Sequence, residues 1–360
     1  MNKALSIILL MAVMVSCTKG GDTIEVPDPT DAPSTKPLVT VVYDPDALGD
    51  HSYNDLVCQG VEAAAVKYGL RTMQLSPASR EEGLAYLETI FQQMSTQRDT
   101  IRRLFVVAST GYDSWLRQNN SRLEGNPYAD LLYLETDTPL EGKGSTLYIH
   151  YYGAMYEAGA ITPCFSPDVL LVGANPENKS VAEAIQGFSD GYNTEYVTPS
   201  RNEEKHLNIR YIGQHEGEGY EISDDEALKM MTSVDWNRLF CIPMIVPVCG
   251  GAAMSFHRMA DSVTQFLFMG VDAKKTSAEC PYSAVKHIDR AVEVTLGQGL
   301  SAEGMPKHQS LGMADGYTEV LIHPVNGLFV SWYKNVPPEE TLRAIHEEAV
   351  RKEGASLNDK

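Results

Sequence analysis

Short runs of apolar and β-branched residues alternate along this chain with longer stretches whose apolar positions recur every three or four residues. Leu38-Val-Thr-Val-Val-Tyr43 reads as a buried strand ended by Asp44-Pro45. Ser52 to Tyr68 reads as a helix with Leu56, Val57, Gly60, Ala63 and Ala64 on one face and Ser52 as its N-cap. Then follow a strand at Thr72–Leu75, a helix over Arg80–Met94, a strand at Leu104–Ala108, a helix near Trp115 and a strand at Leu131–Leu134. Leu147-Tyr-Ile149 leads into another helix around Tyr156. A second set opens with Val169–Gly173, the helix Ser180–Tyr192, the strand Leu207–Ile212 and the helix Asp224–Met231. The runs Ile242–Val248 and Phe266–Gly270 flank a helix over Ala252–Met259.

Strand–helix alternation of this kind predicts an α/β protein with two doubly wound parallel-sheet lobes. Ligands in such sheets bind beyond the carboxyl ends of the strands. The strand-ending residues Asp44, Ser109, Gly173, Gly213, Gly250 and Asp272 are therefore the first places to look for a site.

The first 37 residues follow another pattern. Met1-Asn-Lys3 is a short cationic start, Ala4–Val15 an apolar run, and Ser16-Cys17 follows. This is the layout of a secretory signal, and the run is too short to span a membrane as a mature helix. Val15-Ser16-Cys17 resembles a bacterial lipobox, which implies a signal peptide over residues 1–16 and a lipidated Cys17. Residues 17–37, rich in Pro, Gly and Asp, cannot bury enough apolar area to offset chain entropy and read as a flexible tether. The expected setting is the bacterial cell envelope, with the lipid as the only attachment to a membrane.

The remaining body is long enough for two cores. Expected boundaries are 38–150 plus about 275–325 for one lobe, 151–274 for the other, and a C-terminal helical segment over 326–360. A formal net charge of -19 argues against DNA, RNA or anionic lipid as partners. Besides Cys17 there are Cys58, Cys164, Cys241, Cys249 and Cys280. None forms a CxxC pair or sits with histidines at zinc-like spacing, so they read mostly as small buried apolar residues, and an odd remainder leaves at least one outside any intramolecular pair. No metal or cofactor is expected.

Gly49-Asp-His-Ser-Tyr-Asn-Asp55, followed by Gly60, resembles the G-D-x-S-F-N-D…G signature of the basic membrane lipoprotein family, the purine nucleoside receptor-like substrate-binding proteins. The resemblance continues in order. Val248-Cys-Gly-Gly251 is similar to the family's A-A-G-G turn, Gly270-Val-Asp272 to its G-V-D strand end, and Ser283–Asp289 to its S-x-x-K-x-x-D helix. It spans most of the chain from Leu38 to about Leu300. The resemblance implies a type I periplasmic-binding-protein architecture with a hinge, capture of a small ligand, and delivery to an ABC permease. The lobes would join at strand crossovers near His150 and Val271.

A nucleoside offers a flat ring, a polar ring edge and vicinal ribose hydroxyls, so aromatic faces, amides and carboxylates suit it. Carried over by position, the resemblance implies that Tyr53 stacks on the base, Asn54 meets its edge, and Asp44 supplies a carboxylate at the end of the first strand. It places Asp272 and Lys286 at the ribose and Gly250 and Gly251 in the close turn. For the second stacking ring there are two choices, Tyr220 and its rival His215. The sequence departs from the family here: Gly217-Glu-Gly219 intervenes, and Tyr53 carries a hydroxyl that must be solvated or bonded.

Catalytic readings find little support. Gly111-Tyr-Asp-Ser-Trp115 is not a G-x-S-x-G elbow, and Gly217-Glu-Gly219 is too short for a dinucleotide fingerprint. The expectation is a binding protein and not an enzyme, for a nucleoside first. A sugar or modified base on the same scaffold and a lipid-anchored nucleoside hydrolase are the alternatives.

Overall fold

A computed structural model describes residues 35–198, 204–236, 242–263, 266–277, 279–323 and 336–358. Cys17 and Cys241 lie outside these residues.

The first sheet has four inner strands buried on both faces between two half-exposed edge strands. Its members are β1 (Leu38–Val42), β2 (Arg71–Leu75), β3 (Arg103–Val107), β4 (Ala129–Leu134), β5 (Ser145–Ile149) and β12 (His308–Leu311). They lie in the order β12-β5-β4-β3-β1-β2, and every pairing is parallel. The helices α1 (Tyr53–Tyr68), α2 (Arg80–Thr96), α3 (Asp113–Asn119) and α8 (Ile288–Gly299) belong to this half. Val57, Val61 and Ala64 of α1 meet Ile288, Val292 and Leu296 of α8 in one core. Val61 takes the inward place expected of Ala63, which is exposed, because the face of α1 is set by its contact with α8.

The second sheet is formed by β6 (Asp168–Gly173), β7 (His206–Tyr211), β8 (Met244–Val248) and β9 (Leu267–Phe268), in the order β7-β6-β8-β9 and again all parallel. Around it stand α4 (Tyr152–Ile161), α5 (Lys179–Tyr192), α6 (Asp224–Thr232) and α7 (Ala253–Val263). Helices α4 and α5 approach closely enough that a Cβ on Gly191 would collide with the carbonyl of Tyr156. The buried His257 of α7 stacks on Phe268, ring centroids 4.2 Å apart.

The structure corrects three expectations. The run Phe266–Gly270, read as one strand, is divided. Met269 still donates its N–H to the Ile245 carbonyl beside the second sheet, but β10 (Gly270–Asp272) pairs with β11 (Tyr282–Lys286) in a third. The segment Ser283–Asp289, matched to a helix, is mostly strand: all five residues of β11 are buried, and α8 starts only at Ile288. Five buried residues between two neighbours gain ladder hydrogen bonds on both edges, which a single turn of helix there could not replace. The other neighbour is β13 (Thr318–Ile322), antiparallel to β11, so this third sheet departs from the all-parallel expectation.

The C-terminal helix α9 (Glu339–Asn358) packs on α4, burying Ile345 and Ala349. Its Glu353 is 3% exposed, and its carboxylate accepts from the backbone N–H of Gly153, at the start of α4, and of Met313, beyond β12, both at 2.7 Å. Cys164, Cys249 and Cys280 are buried free thiols and Cys58 is half-buried, as small apolar residues would be.

Candidate functional site

The entry to α1 shows how the sequence builds one wall. Ser52 stands at the N-cap position but makes no capping bond. The carboxylate of Asp50 takes that role, accepting from the backbone N–H of Ser52 (2.8 Å), Asn54 (3.0 Å) and Asp55 (3.2 Å) and from Asn54 Nδ2 (3.0 Å). An anion there satisfies orphan donors and faces the positive end of the helix. Asp55 in turn accepts from the N–H of Gly49 and His51, which fastens the turn. Ser52 is thereby free to donate its hydroxyl to Asp272 Oδ2 at 2.6 Å, across 220 residues of sequence.

Asp272 closes β10 with φ +62°, a left-handed conformation that aspartate tolerates better than most residues. Its N–H donates to the Tyr151 hydroxyl (2.8 Å), which itself donates to the Ala284 carbonyl (2.7 Å). Burial pushes the Asp272 carboxyl above the ordinary range, opposed by the nearby Lys286 and by Ser52. Asp44, just past β1, accepts from the Ser109 hydroxyl, and burial raises its carboxyl too, against that hydrogen bond. Both follow from desolvation, which disfavours the charged form.

Lys286 ends β11 and is 3% exposed. Its ammonium donates to Glu135 Oε2 (2.8 Å) and to Ser180 Oγ (3.1 Å), and lies 5.6 Å from the centre of the Tyr151 ring. Glu135 follows β4 of the first sheet and Ser180 stands in the first turn of α5, so one buried cation ties together three parts of the fold. Lys286 thus ends a buried strand and does not stand in the helix that the motif resemblance implied.

On the opposite wall, Tyr220 lies against the β8 turn. Gly250 has φ +53°, and a Cβ there would come within 3.1 Å of the Tyr220 ring, so glycine is required both by backbone and by the approach of the ring. A Cβ on Gly251 would stand 3.4 Å from the Cβ of Asp50, which brings the turn after β8 up to the loop before α1. His215, the rival ring, is 72% exposed and pairs with Glu177 at 3.2 Å, outside the cleft lining.

Asp44, Tyr53, Asn54, Tyr220, Gly250, Gly251, Asp272 and Lys286, the eight positions carried over from the family resemblance, all line one cleft of ≈ 1230 Å³, whereas the strand-ending Ser109, Gly173 and Gly213 are not in its lining. Two buried atoms in this lining, the Tyr53 hydroxyl and Asn54 Oδ1, have no hydrogen-bond partner among the described residues. The Tyr53 hydroxyl is thus shielded from solvent and unbonded among the described residues, contrary to what its chemistry demands. Buried polar atoms are normally paired, so both positions call for a partner from outside the chain. No cluster of His, Cys, Asp or Glu among the described residues could hold a metal ion.

Sequence reasoning missed Glu135, Tyr151 and Ser180, which line the same cleft. Glu135 could have been found by the strand-end rule, since it directly follows Leu134. Tyr151 and Ser180 carry no such signal, because their place depends on how distant strands and helices meet.

No protein-family model matches this sequence, and no curated protein does. Solved structures do resemble it. A solute-binding protein of an ABC transporter system from Aeropyrum pernix K1 superimposes with a TM-score of 0.65 at 15% identity, covering 89% of this chain and 86% of that one. A transcriptional activator of the comK gene from Bacillus halodurans gives 0.58 at 13% identity, over 88% and 97%. The periplasmic component of an ABC-type sugar transport system from Hahella chejuensis gives 0.53 at 15%, over 80% and 100%. Transporter components and a regulator share these likenesses, so at such identities they speak for architecture alone. The chain has the two-lobed α/β fold of the type I periplasmic binding proteins, with its cleft at the carboxyl ends of the parallel strands.

Proposed function

We propose that this protein is an exported, lipid-anchored solute-binding protein that captures a nucleoside in its cleft and presents it to an ABC permease. The observation that carries the reading is the convergence of the eight sequence-identified residues on one cleft, with unpartnered polar atoms at Tyr53 and Asn54. In this reading the base lies between the rings of Tyr53 and Tyr220, Asn54 Oδ1 accepts from its edge, and Asp272 accepts from the ribose hydroxyls. Stacking of this kind contributes about 1–3 kcal/mol per base. A sugar could use the same carboxylates but would leave the two rings with less to cover.

The test is calorimetry on purified protein with adenosine, guanosine, uridine and adenine, alongside mass spectrometry of any molecule that copurifies. Stoichiometric retention of an unaltered nucleoside is the expected result. Release of free base would make the protein a hydrolase, and a copurified sugar with no nucleoside binding would move the ligand class.

The anchor is tested separately. Cys17→Ser should release the protein from the membrane fraction and abolish incorporation of labelled fatty acid. Membrane retention of that variant without covalent lipid would defeat the lipoprotein reading.

A further inference from the structure

The polar groups of the cleft are unevenly matched. Eight carboxylates line it against two permanent cations, Lys286 and Arg258. Both cations are already engaged by acids of the chain, Lys286 by Glu135 at 2.8 Å and Arg258 by Asp224 at 2.6 Å. Asp50 is committed to the N-terminus of α1, and Glu218 to the N–H groups of Gln214 and His215. Asp44 and Asp272 are not matched in this way. Each accepts from a serine hydroxyl, Ser109 and Ser52 respectively, and neither makes an ion pair among the described residues. Arg80 acts on Asp44, and Lys286 and Lys275 on Asp272, but only from a distance, and burial still holds both carboxyls above their ordinary range.

The buried amide adds a second, independent sign of the same kind. Asn54 is 8% exposed, and its Nδ2 is spent on Asp50, so the atom it leaves unpartnered is the acceptor Oδ1. Apart from the Tyr53 hydroxyl, which can donate or accept, these uncommitted groups are acceptors, two of them carboxylates, beside the aromatic rings of Tyr53, Tyr151 and Tyr220. Buried carboxylates are normally paired, and aromatic faces attract cations. A cleft lined by one sign of charge also concentrates ligands of the other sign.

We infer that the cleft selects a positively charged nitrogen ring, a cationic nucleoside in preference to its neutral parent, and rejects phosphorylated forms of the same ligand. The inference rests on the nucleoside reading for the ribose, while the charge preference follows from Asp44, Asp272 and Asn54 themselves. The ligand's charge would compensate the desolvated carboxylates, a part that no ion pair among the described residues plays.

Calorimetry on the purified full-length protein separates the two. The probes are adenosine, 1-methyladenosine (cationic at neutral pH), AMP and thiamine, a cationic ring with no ribose. The decisive quantity is the affinity ratio of 1-methyladenosine to adenosine in wild type and in Asp44→Asn. A steric clash of the methyl group would lower that ratio in both proteins alike. Loss of the carboxylate's charge should lower it about ten-fold in the variant only, by the Coulomb attraction expected near a partly buried charge. In wild type, raising salt from low to high concentration should weaken 1-methyladenosine more than adenosine, a check that needs no variant. AMP should not bind measurably. An unchanged ratio in Asp44→Asn together with equal salt dependence, or AMP binding as well as adenosine, would overturn the inference and leave the nucleoside reading intact. Binding of thiamine with no nucleoside bound would remove the nucleoside reading and keep the charge preference. Binding of none of the four would sink both.

Discussion

Asp272→Ala should weaken nucleoside binding by roughly a hundred- to ten-thousand-fold while leaving free adenine almost unaffected. A carboxylate that accepts from two vicinal hydroxyls makes two charge-assisted hydrogen bonds, each worth about 1.5–3 kcal/mol, or about 3–6 kcal/mol together. Adenine has no ribose and loses nothing. Alanine brings a second effect, because position 272 has φ +62° and β-carbon-bearing residues other than Asn and Asp resist that conformation. Asp272→Asn is therefore the companion variant. It keeps one acceptor oxygen and tolerates the left-handed backbone, so its loss reports the charge and one acceptor without backbone strain and should be smaller than that of alanine. Titration calorimetry with adenosine and adenine on both variants decides the matter. If both variants bind adenosine as tightly as wild type, the ribose does not sit at Asp272.

Glu353→Ala should cost the fold about 2–6 kcal/mol, since it strips the acceptor from two buried N–H groups and an orphaned buried donor costs about 1–3 kcal/mol. The donors belong to Gly153 and Met313, on segments where the chain leaves β5 and β12 of the first sheet, so one carboxylate of α9 holds two of those exits together. A fall in the denaturant midpoint at unchanged m would show this as lost stability and not altered compactness. Glu353→Gln separates charge from geometry. Burial holds the Glu353 carboxyl above the ordinary glutamate range in spite of the two N–H donors. A raised carboxyl binds its proton more tightly in the folded chain than in the unfolded one. Its contribution is therefore fully present below the unfolded pKa, near 4.3, and is lost as pH rises through the folded value. That dependence should be absent from the Gln variant. A wild-type stability for Glu353→Ala would mean that water replaces the carboxylate.

The correspondence between the pattern of the chain and its structure varies with the reach of the interaction. Strands such as Leu38–Val42 and Val169–Gly173 were legible because an apolar run closed by Asp44-Pro45 or Gly173 is a local signal. The cleft residues were legible because strand ends in parallel sheets face one side, and Asp44 and Asp272 stand at such ends. The cap of α1 was legible in position but not in chemistry. Ser52 has the right type and position, but Asp50, two residues earlier, offers a charged acceptor to three N–H groups, and Asp272 draws the serine hydroxyl away.

What the sequence determined by itself is the alternation of strands and helices, the α/β class, and the residue types of the cleft wall, because these rest on spacings of two to four residues and on turn chemistry within a few positions. What only the tertiary structure decided is which of those residues are matched and which are left open. Lys286 meets Glu135 across 151 residues and Ser180 across 106, and β10 leaves one sheet for another within a single residue of β9. The desolvation that lifts Asp44 and Asp272 likewise exists only once the sheets enclose them. Burial and long-range pairing depend on every neighbour at once, and no local pattern carries that information.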